Sequence, residues 1–186
     1  MPKVSIVVPF HWMKDWQFFM ERCLKSIEEQ SFTDYEIVMM KVGKMAETTN
    51  AVIKKATGDL IKILYLDDYF AHKHALQDIV DAFTDSTQWL ITGCDTNEFP
   101  YYTKDIRSGN NKLGSPSCLT IRNKNPLLFD ERLSWLLDCE LYQRLYEKYG
   151  LPTVLNGVNV NIGIHPGQMT NILTDEEKLS EHKLLQ

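Results

Sequence analysis

Short apolar runs of strand length alternate with helix-period segments through the first half of the chain, and this alternation restricts the fold more than any other feature. Val4 to Phe10 reads VSIVVPF, Tyr35 to Met40 reads YEIVMM, and Leu60 to Leu66 reads LIKILYL. Each is a nearly continuous apolar run, the pattern of a strand buried on both faces rather than of a half-solvated hairpin. Between them, Asp15 to Gln30 puts Met20, Leu24 and Ile27 on one helical face and leaves Glu28 and Glu29 solvated. Ala46 to Ala56 is a second helical segment, ended by Thr57-Gly58-Asp59. This succession predicts an α/β fold with a central, mostly parallel sheet flanked by helices.

The second half continues less regularly. A helix is expected from about Lys73 to Phe83, and strands at Gln88–Thr92 and Cys118–Arg122. Asn97 to Gly114 is polar and rich in turn formers, so it reads as a long loop, and such loops in compact domains are often functional. Ser134 to Tyr149 reads as a helix with Gly150 as its stop signal. Val158 to Ile164 is the last expected strand. The 186 residues suit a single domain, 1–186, with 174–186 as a peripheral tail, and can bury a core without disulfide or metal staples.

Charge narrows the partners. The formal net charge is -5 and no run of Lys or Arg stands out, so a nucleic-acid groove is not expected. An acidic chain that binds a nucleotide diphosphate needs a divalent cation between its own carboxylates and the phosphates. Cys23, Cys94, Cys118 and Cys139 lack paired metal-ligand spacing and read as reduced, buried thiols. The chain opens directly on a strand-like run, and no apolar stretch approaches the ~20 residues of a membrane span. The expectation is a cytoplasmic protein with no transmembrane segment.

In open α/β sheets ligands sit at the carboxyl ends of the strands. Pro9-Phe10-His11 and Asp67-Asp68 both lie at such ends and can face one crevice. Short carboxylates there suit a hard cation that keeps open positions, and a neutral imidazole such as that of His165 suits Mn²⁺-like ions. Asp is equally at home in turns and caps, and His165 alone reads as a loop histidine. On the helix near the end, Leu137, Leu141, Leu145 and Tyr149 form a stripe, Glu140 and Arg144 are spaced as a surface pair, and Asp138 lies near the helix start, where the dipole favours a carboxylate.

Four segments together resemble the family 2 glycosyltransferases of GT-A fold, in a small, minimal version. They are VSIVVPFHW, CLKSIEEQSFTDYEIVMM, TTNAVIKKATGDLIKILYLDD, and LLDCELYQRLYEKYG followed by IGIHPGQMTN. The resemblance implies an inverting glycosyltransferase that moves a sugar from a nucleotide-diphosphate sugar, UDP favoured, to an acceptor hydroxyl. It implies Mn²⁺ or Mg²⁺ at Asp67, Asp68 and His165, with the direct ligand of the two aspartates left open by one residue of register. It implies Asp138 as general base, and donor contacts from Pro9, Phe10, His11, Asn50 and Asp67. Tyr65 and Leu137 stand where the family usually carries acids, and Met40-Lys41-Val42-Gly43 replaces an acidic turn.

Those departures favour an alternative: a nucleotide-sugar-binding protein with weak or no transfer activity. A nucleotidyltransferase is a further reading, but HWMKDW is not the Gly-rich basic phosphate loop it would need. The acceptor is expected on a surface formed by Asn97–Gly114 and the helix start, where Trp135 could stack on a sugar or serve as a core ring.

Overall fold

The computed structural model describes residues 3–185; the last residue of the tail, 186, lies outside the described residues. Among these residues the strands are β1 (Val4–Pro9), β2 (Tyr35–Met40), β3 (Leu60–Ile63), β4 (Tyr69–Phe70), β5 (Trp89–Cys94), β6 (Leu119–Arg122) and β7 (Thr153–Asn161). The helices are α1 (Trp16–Glu28), α2 (Met45–Ile53), α3 (Ala75–Ala82), α4 (Leu137–Tyr149), α5 (Met169–Ile172) and α6 (Asp175–Leu184). All strands join one 7-stranded sheet in the order β2-β1-β3-β6-β5-β7-β4.

β2, β1 and β3 run parallel, as do β5 and β7. β6 lies antiparallel between β3 and β5, so both parallel groups point the same way. Only β6 and β4 run against that direction, which matches the expected mostly parallel sheet. α2 packs on β1 and β2, α1 on β4, and α3 on β7.

The core follows from the apolar runs. Val4, Ile6, Val7 and Val8 of β1 and Leu60, Ile61 and Ile63 of β3 are buried, together with Trp89, Leu90 and Ile91 of β5. Burying each large aliphatic side chain contributes roughly 1.5–3 kcal/mol. Trp89 keeps its polar handle by donating Nε1–H to the Gly150 carbonyl at 3.0 Å.

Beyond shifts of one or two residues at strand ends, four strands depart from expectation; β3 stops at Ile63, three residues short of Leu66. β2 pairs only with β1 and stands at the sheet edge, so YEIVMM is half-exposed rather than buried on both faces. β4 is two residues long, too short for any periodicity to reveal. β7 begins at Thr153, ahead of the expected Val158, because its Asn and Gly residues dilute the apolar signal.

A lysine lies inside the central sheet. Lys62 of β3 is fully buried, and its ammonium donates to the Ser117 carbonyl. Burial pulls its pKa down to about 8, while nearby Cys118, Asp68 and Cys94 oppose the drop. All four cysteines are free and buried.

Candidate active site

Parallel strands release their chains at the same sheet end. Phe10 N–H bonds the Met40 carbonyl at 3.2 Å, and Leu64 N–H bonds the Val7 carbonyl at 3.0 Å. The segments after β1, β2 and β3 therefore emerge together, bringing Pro9–His11, Lys41 and Tyr65–Asp68 to one edge of the sheet.

β4 then fixes the partner segment. Tyr69 pairs with Asn161 and Phe70 with Val160, which lays the chain after β7 directly over Asp67 and Asp68. Gly163 N–H donates to Asp68 Oδ1 at 2.8 Å. A Cβ on Gly163 would stand 2.0 Å from the Asp67 carbonyl oxygen, so only glycine permits this approach. Two residues on, His165 Nε2 lies 3.0 Å from Asp67 Oδ2. Gly167 N–H donates to His165 Nδ1 at 3.1 Å.

The two aspartates have different surroundings. Asp67 is half-buried, and burial pushes its acid up, while its own main-chain N–H, His165 and Arg22 pull it back. Asp68 is only 3% exposed. Burial, and then the Asp67 charge, drive its acid well up, against Ser117, Gly163 N–H and Lys62. The Asp68 carboxylate is thus turned into the protein, where it ties the end of β3 to the end of β7.

This differs from the expected ligand set of Asp67, Asp68 and His165. Among the described residues no cluster of three His, Cys, Asp or Glu is gathered to hold a metal ion. Two ligands suffice for an ion that takes its other positions from phosphate and water. Asp67 Oδ2 and His165 Nε2 lie 3.0 Å apart. The carboxylate and imidazole present fit Mn²⁺ or Mg²⁺ in that role.

Asp138 sits in the first turn of α4. Its Oδ1 accepts the Cys139 N–H at 2.7 Å, and its Oδ2 accepts Asn111 Nδ2–H at 2.8 Å. Burial raises its acid above the ordinary aspartate value despite those bonds. Tyr65 links the two halves of the site: its acid is raised by burial, then by the charges of Asp138, Asp67 and Asp68. Its hydroxyl accepts from Thr49 Oγ1 at 3.4 Å.

Asn50 has a different assignment from the expected donor contact. It is 1% exposed. Its amide donates to the Phe129 carbonyl and to Glu131, both at 2.9 Å, and accepts the Phe129 N–H at 2.8 Å. That spends the side chain on clamping the loop before α4. Glu140 is also not a surface group: it is 7% exposed and pairs with Arg144, which in turn holds the Leu128 carbonyl at 2.7 Å.

Pro9 is buried, and Phe10 and His11 are half-buried at the same sheet end. Burial, then the Lys41 charge, lowers the His11 pKa and keeps the ring neutral. Beside them Trp12 is 58% exposed, edge-on to Phe10 at 5.4 Å and to Trp16 at 4.5 Å, with Lys41 Nζ 5.6 Å over its ring.

Trp135 does not offer an open face. Lys178 lies 5.5 Å over its ring and His182 meets it edge-on, both from α6. The tail is docked at the start of α4. The α4 cap position is Leu136, which has no side-chain oxygen. Glu181 of α6 replaces it, accepting the N–H groups of Ser134 at 2.8 Å, Trp135 at 3.0 Å and Leu136 at 2.9 Å.

Sequence reasoning missed Trp12, Arg22, Asn111, Gly163 and Glu181. Two left a trace: a glycine inside a strand-like run marks close backbone approach, and Arg22 carries aromatics at i−3 and i−4. Asn111 and Glu181 left none, since their partners are 27 and 45 or more positions away.

No protein-family profile and no curated protein sequence matches the chain. Its structure is similar to that of S. aureus TarS 1-349 in complex with UDP-GlcNAc, with a TM-score of 0.78 at 17% identity over 98% of this chain. The chain spans 65% of the length of that TarS structure. It is similar to the mannosyltransferase PcManGT from Pyrobaculum calidifontis in complex with GDP-Man and Mn²⁺, with a TM-score of 0.63 at 15% identity over 89% of this chain and 58% of that one. A third likeness is to glucosyl-3-phosphoglycerate synthase from Mycobacterium tuberculosis with Mn²⁺, UDP and glucosyl-3-phosphoglycerate, with a TM-score of 0.65 at 11% identity over 99% of this chain and 77% of that one. Among the described residues no helix is long and apolar enough to cross a membrane. The likeness shows that this chain has a GT-A-like fold.

Proposed function

We propose that the protein is an inverting glycosyltransferase using a nucleotide-diphosphate sugar, with UDP the favoured carrier and Mn²⁺ or Mg²⁺ as cofactor. The observation that carries this reading is the Asp67–His165 pair, 3.0 Å apart at the carboxyl end of the parallel strands. Neighbours of the same fold were crystallised with UDP-GlcNAc, with GDP-Man and Mn²⁺, and with UDP and Mn²⁺.

Asp67 and His165 are the residues that would hold the ion. When bound, it neutralises charge on the departing diphosphate. Asp68, locked on Gly163, keeps both ligands at the sheet end. Pro9, Phe10 and His11 are assigned to the donor's nucleoside, with Trp12 added as an exposed stacking face. The acceptor hydroxyl attacks the anomeric carbon from the face opposite the diphosphate, the bond to the phosphate oxygen breaks, and Asp138 takes the hydroxyl proton. A carboxylate cannot deprotonate an alcohol beforehand, but it can accept the proton as the new bond forms, an assistance of ~10²–10⁴-fold. Asn111 orients that carboxylate from the long loop.

Binding without transfer is the second reading, favoured by Tyr65 and by the exposed Lys41 in place of acids. Incubating a panel of UDP- and GDP-sugars with the protein and Mn²⁺ separates the two. Release of free nucleotide at a rate above the protein-free control, abolished in Asp138→Asn, supports transfer chemistry. Intact donor throughout, with measurable binding, favours the second reading.

A further inference from the structure

Helix α1 places Phe18, Phe19 and Arg22 within one turn. The Arg22 guanidinium carbon lies 4.3 Å over the Tyr69 ring and 5.4 Å from each of the Phe18 and Phe19 rings. Its Nη2 donates to the Asp67 carbonyl at 2.5 Å. The same nitrogen lies 3.0 Å from the position a Cβ would take on Gly163. Arg22 therefore reaches the point where the chains bearing Asp67 and His165 come closest. Phe19, one face of its aromatic cage, also packs against the His165 ring at 5.2 Å.

One part of this arrangement is costly. The Nε–H is buried with no partner among the described residues, and unmet buried donors are costly. A methionine of similar length would fill the cage without that cost. What methionine lacks is a donor for the Asp67 carbonyl. We propose that Arg22 is a positioning residue: it holds the Asp67 main chain against Gly163 while Phe19 backs the imidazole, so that the Asp67 carboxylate and the His165 imidazole stay side by side. This rests on the reading of that pair as the ion's ligands.

The test is Mn²⁺ binding by electron paramagnetic resonance, with and without UDP, in the full chain and its Arg22→Met and Arg22→Lys variants, each also melted. Wild type should bind the ion. Arg22→Met should bind it at least tenfold more weakly with an equal or higher melting temperature. Arg22→Lys keeps one donor and the charge and should recover part of the loss. If Arg22→Met does not fold, Arg22→Lys decides alone, with an expected loss of about threefold or more. Wild-type binding with unchanged affinity in the folded variants overturns the role of Arg22 and leaves the ion site standing. A wild type that binds no Mn²⁺ overturns the site, and this inference with it.

Discussion

Asp67 Oδ2 and His165 Nε2 are 98 positions apart in the chain and 3.0 Å apart in space. The relationship depends on a glycine. Gly163 brings its backbone against the Asp67 carbonyl where a Cβ would stand 2.0 Å away. Gly163→Ala must push the two backbones apart. We expect it to cost about 2 kcal/mol or more in urea unfolding and to weaken Mn²⁺-dependent UDP binding at least tenfold. Wild-type binding in Gly163→Ala would remove the link between this approach and the site.

Asp138 and Glu140 are both carboxylates of α4, and they have different partners: Asn111 for the first, Arg144 for the second. Asp138→Asn removes the proton acceptor and should cut donor turnover by ~10²–10⁴-fold while preserving nucleotide binding. Glu140→Gln breaks the buried pair with Arg144, so it should lower the melting temperature yet leave turnover per folded molecule within a few-fold. Because burial raises the Asp138 acid, turnover should fall on acidification at a pH above that of an ordinary aspartate. A rate profile recorded over acidic pH, alongside melts of both variants, checks all three statements.

How much of this was legible in the sequence depended on distance. β1 and β3 announced themselves by local apolar continuity, and with them the sheet end where Asp67 stands. Asp67 and Asp68 could not be told apart, since they are chemically identical neighbours and only burial against Gly163 and Lys62 distinguishes them. Asn50 looked like a polar contact at the cleft because a helix residue's clamp on Phe129, 79 positions on, has no local signature. The edge position of YEIVMM was equally hidden, because apolar continuity does not reveal whether a second strand pairs with the free side.

The tail shows the same limit. Glu181 caps α4 from α6 with bonds to three main-chain N–H groups. Glu181→Ala should destabilise the protein by about 2 kcal/mol, the upper range for a lost cap, and raise amide exchange at 134–136. Exchange there equal to wild type would mean that α4 starts without help from the tail.

Lys62 makes stability depend on alkaline pH. Burial holds its folded pKa at about 8, below the ordinary lysine value of 10.5. Below pH 8 both states hold the proton, and the folded state bears the cost of a buried charge. Between pH 8 and 10.5 the unfolded chain binds more protons than the folded one, so stability from this group rises with pH. Lys62→Met has no such dependence. Urea unfolding at pH 7.5 and 9.5 should show wild type gaining on Lys62→Met at up to about 1.4 kcal/mol per pH unit; a parallel pair of curves would count against it.

The central claim is that Asp67 and His165 present a divalent ion to a nucleotide diphosphate, and calorimetric titration of UDP tests it most directly. UDP should bind with Mn²⁺ present, at least tenfold more weakly after chelation, and comparably more weakly to Asp67→Ala and to His165→Ala with Mn²⁺ retained. Equal UDP affinity with and without the ion, or wild-type Mn²⁺ dependence in Asp67→Ala, would contradict it.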